Sequence, residues 1–192
     1  MIAIIKYNGG NVSSVQNALN RLGTESIITD DFELIKNADK VIFPGVGEAS
    51  STMKTLKEKG LDQLIPTLKQ PVLGICLGMQ LMCKNNEEGS TVGMGIFDIN
   101  VKKFPAEDII PHMGWNTISD FKSTIYSGIK EESDVYFVHS FYCELSENTT
   151  SVCDYILPFS ASLQKDNFYA MQFHPEKSGK IGSQLLQNFL KL

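Results

Sequence analysis

The sequence predicts an α/β fold: a three-layer, mostly parallel mixed sheet with helices on both faces and an antiparallel extension. Three observations carry that reading. Short runs rich in β-branched residues recur along the chain, each bounded by turn residues. Helical periodicity alternates with these runs between Met1 and Asn85, the signature of parallel strands joined by right-handed crossovers. From Gly93 to Ser119 and from Ser151 to Phe173, strand-like runs follow one another with little helical pattern between them, which is simplest as an antiparallel extension.

In chain order, Ile2 to Ile5 is a short apolar run that reads as a buried first strand. Val12, Val15, Leu19 and Leu22 then recur at three-to-four spacing, with Asn11 or Ser13 as the cap and Gly23 as the stop of a helix. Ser26 to Thr29, Val41 to Phe43 and Val72 to Ile75 supply further strands, the last running directly into a helical pattern that includes Cys83. Val135 to His139 is another buried strand, and Cys143 and Cys153 fall in strand-like segments. A final amphipathic helix puts Ile181, Leu185, Leu186 and Phe189 on one face. With no internal repeat, low-complexity tract or Pro/Gly/Ser-rich linker, residues 1–192 are expected to form one domain.

Composition removes several function classes. A 192-residue chain that is 42% hydrophobic can bury a core without metals or disulfides. Its net charge of −5 does not supply the concentrated positive face that a nucleic-acid backbone rewards. The N-terminal apolar run is short and followed by glycines, so it reads as a strand and not a signal peptide. No stretch approaches the roughly 18 apolar residues of a membrane span, and a cytoplasmic protein without membrane contact is expected. The four cysteines form no CxxC pair and have no regular spacing with the three histidines, so neither zinc nor a disulfide is expected.

The chemistry concentrates in Pro71-Val72-Leu73-Gly74-Ile75-Cys76-Leu77-Gly78-Met79-Gln80, a strand running into a helix with a cysteine at the junction. An arbitrary cysteine in an apolar segment is usually a small packed hydrophobe. Here Gly74 and Gly78 stand two residues either side of Cys76, as the tight backbone of a nucleophile elbow requires. A thiol at a helix N-terminus is favoured as thiolate, the competent nucleophile. Cys83, Cys143 and Cys153 lack that setting and read as packing residues.

Of the three possible bases, His174 is the best placed, because His174-Pro175-Glu176 holds an imidazole and a carboxylate two residues apart. On an extended backbone that spacing points both side chains the same way, so Glu176 can fix the tautomer of His174. Alone, the tripeptide would be an ordinary surface turn; beside an elbow it completes a triad. His139 divides between a satisfied core histidine and a substrate-lining one, while His112 reads as capping a turn or lining an interface. The developing oxyanion needs donors: the Leu77 N–H is one, and Pro44-Gly45-Val46-Gly47 can present a second through Val46 and Gly47. Taken by itself that segment would pass for a strand-ending turn.

Together, PGVGE at Pro44 to Glu48, GICLGMQ at Gly74 to Gln80 and QFHPEKSG at Gln172 to Gly179 resemble the class I (triad) glutamine amidotransferases, with a flavodoxin-like sheet. PHMGWN at Pro111 to Asn116 and YFVHSFY at Tyr136 to Tyr142 look like the glutaminase subunits of imidazole glycerol phosphate synthases. The resemblance spans most of the chain. It implies that Cys76 attacks the glutamine side-chain amide, that His174 protonates the departing ammonia, and that Glu176 orients His174. It implies glutamine contacts at Gly47, Leu77, Gln80, His139, Ser140 and Phe141, and no cofactor or metal. It also implies a heterodimer with a (β/α)₈ cyclase subunit, which receives the ammonia and makes imidazole glycerol phosphate and AICAR in histidine biosynthesis. Tyr7, Asn11, Trp115 and Lys177 are the expected partner-facing residues.

One departure stands out: the family's first loop reads Tyr-Gly-x-Gly-Asn, whereas this chain has Tyr7-Asn8-Gly9-Gly10-Asn11. Asparagine tolerates left-handed backbone, so the turn can survive the change. Competing readings are the glutaminase of another synthase (anthranilate, pyridoxal phosphate or a sugar-amidinating paralogue), a cysteine peptidase on the same fold, and a non-catalytic thiol redox sensor.

Overall fold

Strand β1 (Ile2–Ile5) is buried along its whole length, and its side chains divide between two hydrophobic clusters: Ala3 and Ile5 join one, Ile2 and Ile4 the other. That division is the period-2 alternation of a strand covered on both faces, and it explains why the sequence shows a continuous apolar run there. The computed structural model, which describes residues 1–7 and 11–192, builds outward from this strand. Asn8, Gly9 and Gly10, where the departure from the family's first loop falls, lie outside the described residues.

After β1 come α1 (Val12–Arg21), β2 (Ser26–Thr29), α2 (Phe32–Lys36), β3 (Lys40–Gly45), α3 (Ala49–Glu58), α4 (Leu61–Leu64), β4 (Val72–Cys76) and α5 (Leu77–Met82). The strands β5 (Cys83–Asn86), β6 (Thr91–Val92), β7 (Phe97–Lys103), β8 (His112–Ser119), β9 (Ser133–His139), β10 (Phe141–Cys143), β11 (Thr149–Tyr155), β12 (Leu157–Lys165) and β13 (Phe168–Met171) follow, and α6 (Gly179–Leu190) closes the chain. The main sheet runs β2-β1-β3-β4-β13-β12-β11-β8-β9. Its first five strands pair in parallel and the remaining pairings are antiparallel; β1 to β4 follow the patterning, whereas β13, expected within the antiparallel extension, pairs in parallel with β4 and antiparallel only with β12.

Helices α1 and α6 cover one face through Val15, Ala18, Leu19, Leu185, Leu186 and Phe189. Helices α3 to α5 cover the other through residues such as Met53, Leu56, Leu61 and Met79. The layers therefore match the expected three.

Two features differ from the sequence reading. Cys83 is not helical: α5 ends at Met82, and Cys83 opens β5, part of a second, four-stranded sheet in the order β10-β7-β5-β6. The reason is non-local, since the carbonyls of Leu81 and Met82 accept from the N–H groups of Met94 and Ile96 instead of continuing the helix. Cys83 and Cys143 do pack in the core, with their sulfurs 3.6 Å apart, and Cys153 is buried as well.

Candidate active site

The parallel strands β3, β4 and β13 end side by side, and their carboxyl ends deliver Pro44 to Gly47, Cys76, and Gln172 to His174 to one place. Sites in open parallel sheets form at such ends. Cys76 sits at the β4–α5 junction with φ 54° and ψ −111°, a conformation that non-glycine residues rarely adopt and that costs on the order of 1–3 kcal/mol. The close packing on either side explains the glycines. A Cβ on Gly78 would lie 2.0 Å from the Phe43 carbonyl oxygen, and one on Gly74 would lie 2.8 Å from the Met82 sulfur. At Gly78 the clash is with backbone and a side chain is excluded; at Gly74 a Cβ would press on the Met82 sulfur and sit 3.1 Å from the backbone of Gly78 and Met79, so that position is tight.

Around the sulfur, Cys76 Sγ approaches the Val138 carbonyl oxygen at 3.8 Å and receives the Gln172 Nε2 amide at 3.7 Å. Gln172 also accepts from Gln80 Nε2 at 3.0 Å, tying the nucleophile to the floor of the pocket. Sequence reasoning gave Gln172 no role, because its contact depends on the adjacency of β13 and β4.

His174 Nδ1 lies 2.8 Å from Glu176 Oε1, with both side chains almost wholly buried. The pairing is as expected but its route is not: Pro175–Lys177 is a 3₁₀ turn, not extended chain. Proline's fixed φ suits the first position of such a turn. The Ser178 hydroxyl donates to the His174 carbonyl and accepts from the Tyr136 N–H, while the His174 N–H donates to the Tyr136 carbonyl, so the turn is pinned to β9. His174 Nε2 is buried without a hydrogen-bond partner, and His174 and Cys76 line the same cavity. Burial opposes charge on this ring, but Cys76 and Glu176 outweigh it and push His174 up to about 9.

A cavity of about 340 Å³ opens on these groups and is lined by Val46, Gly47, Cys76, Leu77, Gln80, Glu88, Pro111, Val138, His139, Ser140, Phe141 and His174. That volume suits a small metabolite. Leu77 is the first residue of α5, where backbone N–H groups have no intrahelical partner. Gly47 has φ +115°, a backbone state only glycine adopts freely, and the neighbouring Val46 is exposed. Among the described residues, no group of three or more His, Cys, Asp or Glu is placed to hold a metal ion, and no helix is long and apolar enough to cross a membrane.

Two expected placements need correction. Tyr7 is 5% exposed, with its hydroxyl donating to the Pro44 carbonyl at 2.7 Å, so it braces the Pro44 to Gly47 loop instead of facing a partner. His112 neither caps a turn nor lines a surface; it is 4% exposed, with its ring stacked on Phe137 and Tyr155. His139 combines both readings offered for it, being buried and also lining the cavity. Trp115 is 58% exposed beside Tyr136, and Lys177 lies with its Nζ 5.8 Å from the Tyr136 ring centre, which gathers these residues on one exposed patch near the triad. Asn11 stands half-buried at the start of α1.

The geometry agrees with the comparisons with known proteins. Residues 3–192 match the family model described as glutamine amidotransferase class-I. The chain belongs to that family. It is 59% identical to the imidazole glycerol phosphate synthase subunit HisH of Bacteroides fragilis (strain YCH46), over 100% of this chain and 99% of that protein. A subunit HisH 2 from Methanococcus maripaludis is 44% identical, again over 100% and 99% of the two chains. Among solved structures, one described as a glutamine amidotransferase covers 99% of this amidotransferase and 97% of its own chain, with a TM-score of 0.75 at 18% identity. The structure of PurLQS from Thermotoga maritima gives 0.72 at 16% identity, with the same coverage of 99% and 97%. At those identities the structural matches speak to the fold alone.

Proposed function

We propose that this amidotransferase is the glutaminase subunit of an imidazole glycerol phosphate synthase, with Cys76, His174 and Glu176 as its triad and residues 1–192 as one catalytic domain. Cys76 attacks the side-chain amide carbon of glutamine, and the resulting oxyanion is met by the Leu77 N–H and a peptide of the Val46–Gly47 segment. His174 protonates the departing ammonia, leaving a glutamyl thioester. Water, deprotonated by the now neutral His174, then attacks the thioester and releases glutamate. Glu176 holds His174 in the tautomer that turns Nε2 toward the sulfur. Gly47, Leu77, Gln80, His139, Ser140 and Phe141 bind glutamine, and the ammonia passes to a cyclase subunit that docks over Trp115, Lys177 and Asn11.

One observation carries this reading: nucleophile, base, oxyanion segment and the expected glutamine contacts all line a single cavity, although the sequence scatters them from Val46 to His174. The 59% identity to a protein named as a synthase subunit, over the full length of both chains, supports the choice of partner.

The same geometry supports control by the partner. The Pro44 to Glu48 loop is held at both ends, by Tyr7 on Pro44 and by the Glu48 carboxylate capping α3 through the Ser50 and Ser51 N–H groups. Between these anchors the Val46–Gly47 peptide can turn its N–H toward or away from the sulfur at little cost. One missing oxyanion donor slows reaction by about 10²–10³-fold. Glutamine hydrolysis by the isolated chain should therefore be slow, and should rise by about that factor when the cyclase subunit and its nucleotide-like substrate are added together. Equal rates with and without the partner would refute the coupling; no glutamate from the full complex would refute the function.

A further inference from the structure

Strands β8 and β9 pair with His112 directly opposite His139, and the hydrogen bonds around the two rings fix where each proton sits. Asn116 is oriented by its neighbours: its Oδ1 accepts from the Thr117 N–H at 2.8 Å and its Nδ2 donates to the Asp154 carbonyl at 3.1 Å. Rotating that amide would break both contacts. Nδ2 therefore also faces His112 Nε2, 3.2 Å away, and that ring nitrogen must accept. A neutral His112 then carries its proton on Nδ1, which lies 2.9 Å from His139 Nε2.

From the other end, His139 Nδ1 lies 2.7 Å from the Phe141 carbonyl oxygen, which can only accept, so His139 carries its proton on Nδ1 and accepts on Nε2. The two ends give the same assignment. A proton added to either ring would set donor against donor at one link.

We propose that His112 is a positioning residue for the glutamine pocket, passing a one-way run of hydrogen bonds from Asn116 through His112 and His139 to the carbonyl of Phe141. The inference rests on reading the cavity as the glutamine site. Its terminus is shared: the same Phe141 oxygen accepts from Gln80 Nε2 at 3.0 Å, so the run locks the His139 to Phe141 strip against Gln80 on α5. Its origin lies on the strand whose opposite face carries the exposed Met113 and Trp115, since His112 and Asn116 alternate with them along β8. Burial pushes His139 down to about 3 and His112 down to about 4, so both rings are neutral at pH 7, as the run requires. His112 touches neither the sulfur nor the cavity and acts only through His139.

The test has two arms. In the ¹⁵N-labelled full chain, long-range imidazole correlations should show His112 and His139 both as Nδ1–H tautomers at pH 7, an assignment made tractable by there being only three histidines. An Nε2–H tautomer or a charged ring at either residue overturns the proposal. In the complex with the cyclase subunit, His112→Phe keeps an aromatic ring between Phe137 and Tyr155 but removes the donor. KM for glutamine should rise about tenfold while kcat changes little, because a buried acceptor on His139 is left unmatched. His112→Asn, whose Nδ2 can take the place of the Nδ1–H, should restore KM. An unchanged KM in His112→Phe, or no recovery in a folded His112→Asn, overturns the positioning role. Absence of glutaminase activity in the unaltered complex would instead count against the glutamine-site reading, and the tautomer arm does not depend on it.

Discussion

Replacing Cys76 by alanine in the synthase complex is expected to lower glutamine-dependent synthesis by about 10⁴-fold or more, since loss of a triad nucleophile leaves only the oxyanion donors and binding. Synthesis from added ammonia should be largely unaffected, because the partner's chemistry does not use the thiol. The variant should also change its neighbour. Cys76 is one of the groups that raise His174 against the opposing effect of burial, so the His174 titration should move down from about 9 when the sulfur is removed. Because the folded chain holds that proton more tightly than an unfolded histidine near 6.5, its stabilising contribution is full below that pH and fades as pH rises through about 9. Substantial glutamine-dependent product from Cys76→Ala, or a His174 titration that does not move, would contradict the assignment. Serine or alanine at Cys83, Cys143 or Cys153 should spare catalysis in variants that fold, at a stability cost of roughly 1–3 kcal/mol.

The second large effect separates the two other members of the triad. His174→Ala removes the proposed base, and glutaminase activity should fall about as far as in Cys76→Ala. Glu176→Gln keeps an acceptor oxygen in hydrogen-bond reach of His174 Nδ1, now 2.8 Å from the carboxylate, and should retain more activity than the alanine at His174. Steady-state glutamine hydrolysis by the three variant complexes, checked for folding by thermal denaturation, reads this order. Equal losses at Glu176 and His174 in stable proteins would mean that the carboxylate does more than orient the ring.

How much of this was legible in the sequence follows from the range of each interaction. The elbow was legible because its constraint is local: Gly74 and Gly78 lie within two residues of Cys76, and the clashes a side chain would cause there explain both. The parallel strands β1 to β4 were legible because short apolar runs alternate there with helical periodicity, whereas the parallel pairing of β13 with β4 was not, since it joins segments about 96 residues apart. The second sheet was not, since β5 reads Cys83-Lys84-Asn85-Asn86, a polar segment held by pairing with β6 and β7 and not by its own pattern. The His112–His139 contact depends on the register of β8 against β9, across the long connection from Asp120 to Glu132, which no local motif specifies. Tyr7 was misplaced for a related reason: its inward turn is set by the Pro44 carbonyl, 37 residues away in sequence.

The most direct test of the central claim is covalent trapping. A diazoketone analogue of glutamine, incubated with the complex and mapped by peptide mass spectrometry, should leave one adduct, on the Cys76 sulfur, with simultaneous loss of glutaminase activity and protection by excess glutamine. An adduct confined to Cys83, Cys143 or Cys153, or full inactivation with Cys76 unmodified, would show that the nucleophile lies elsewhere.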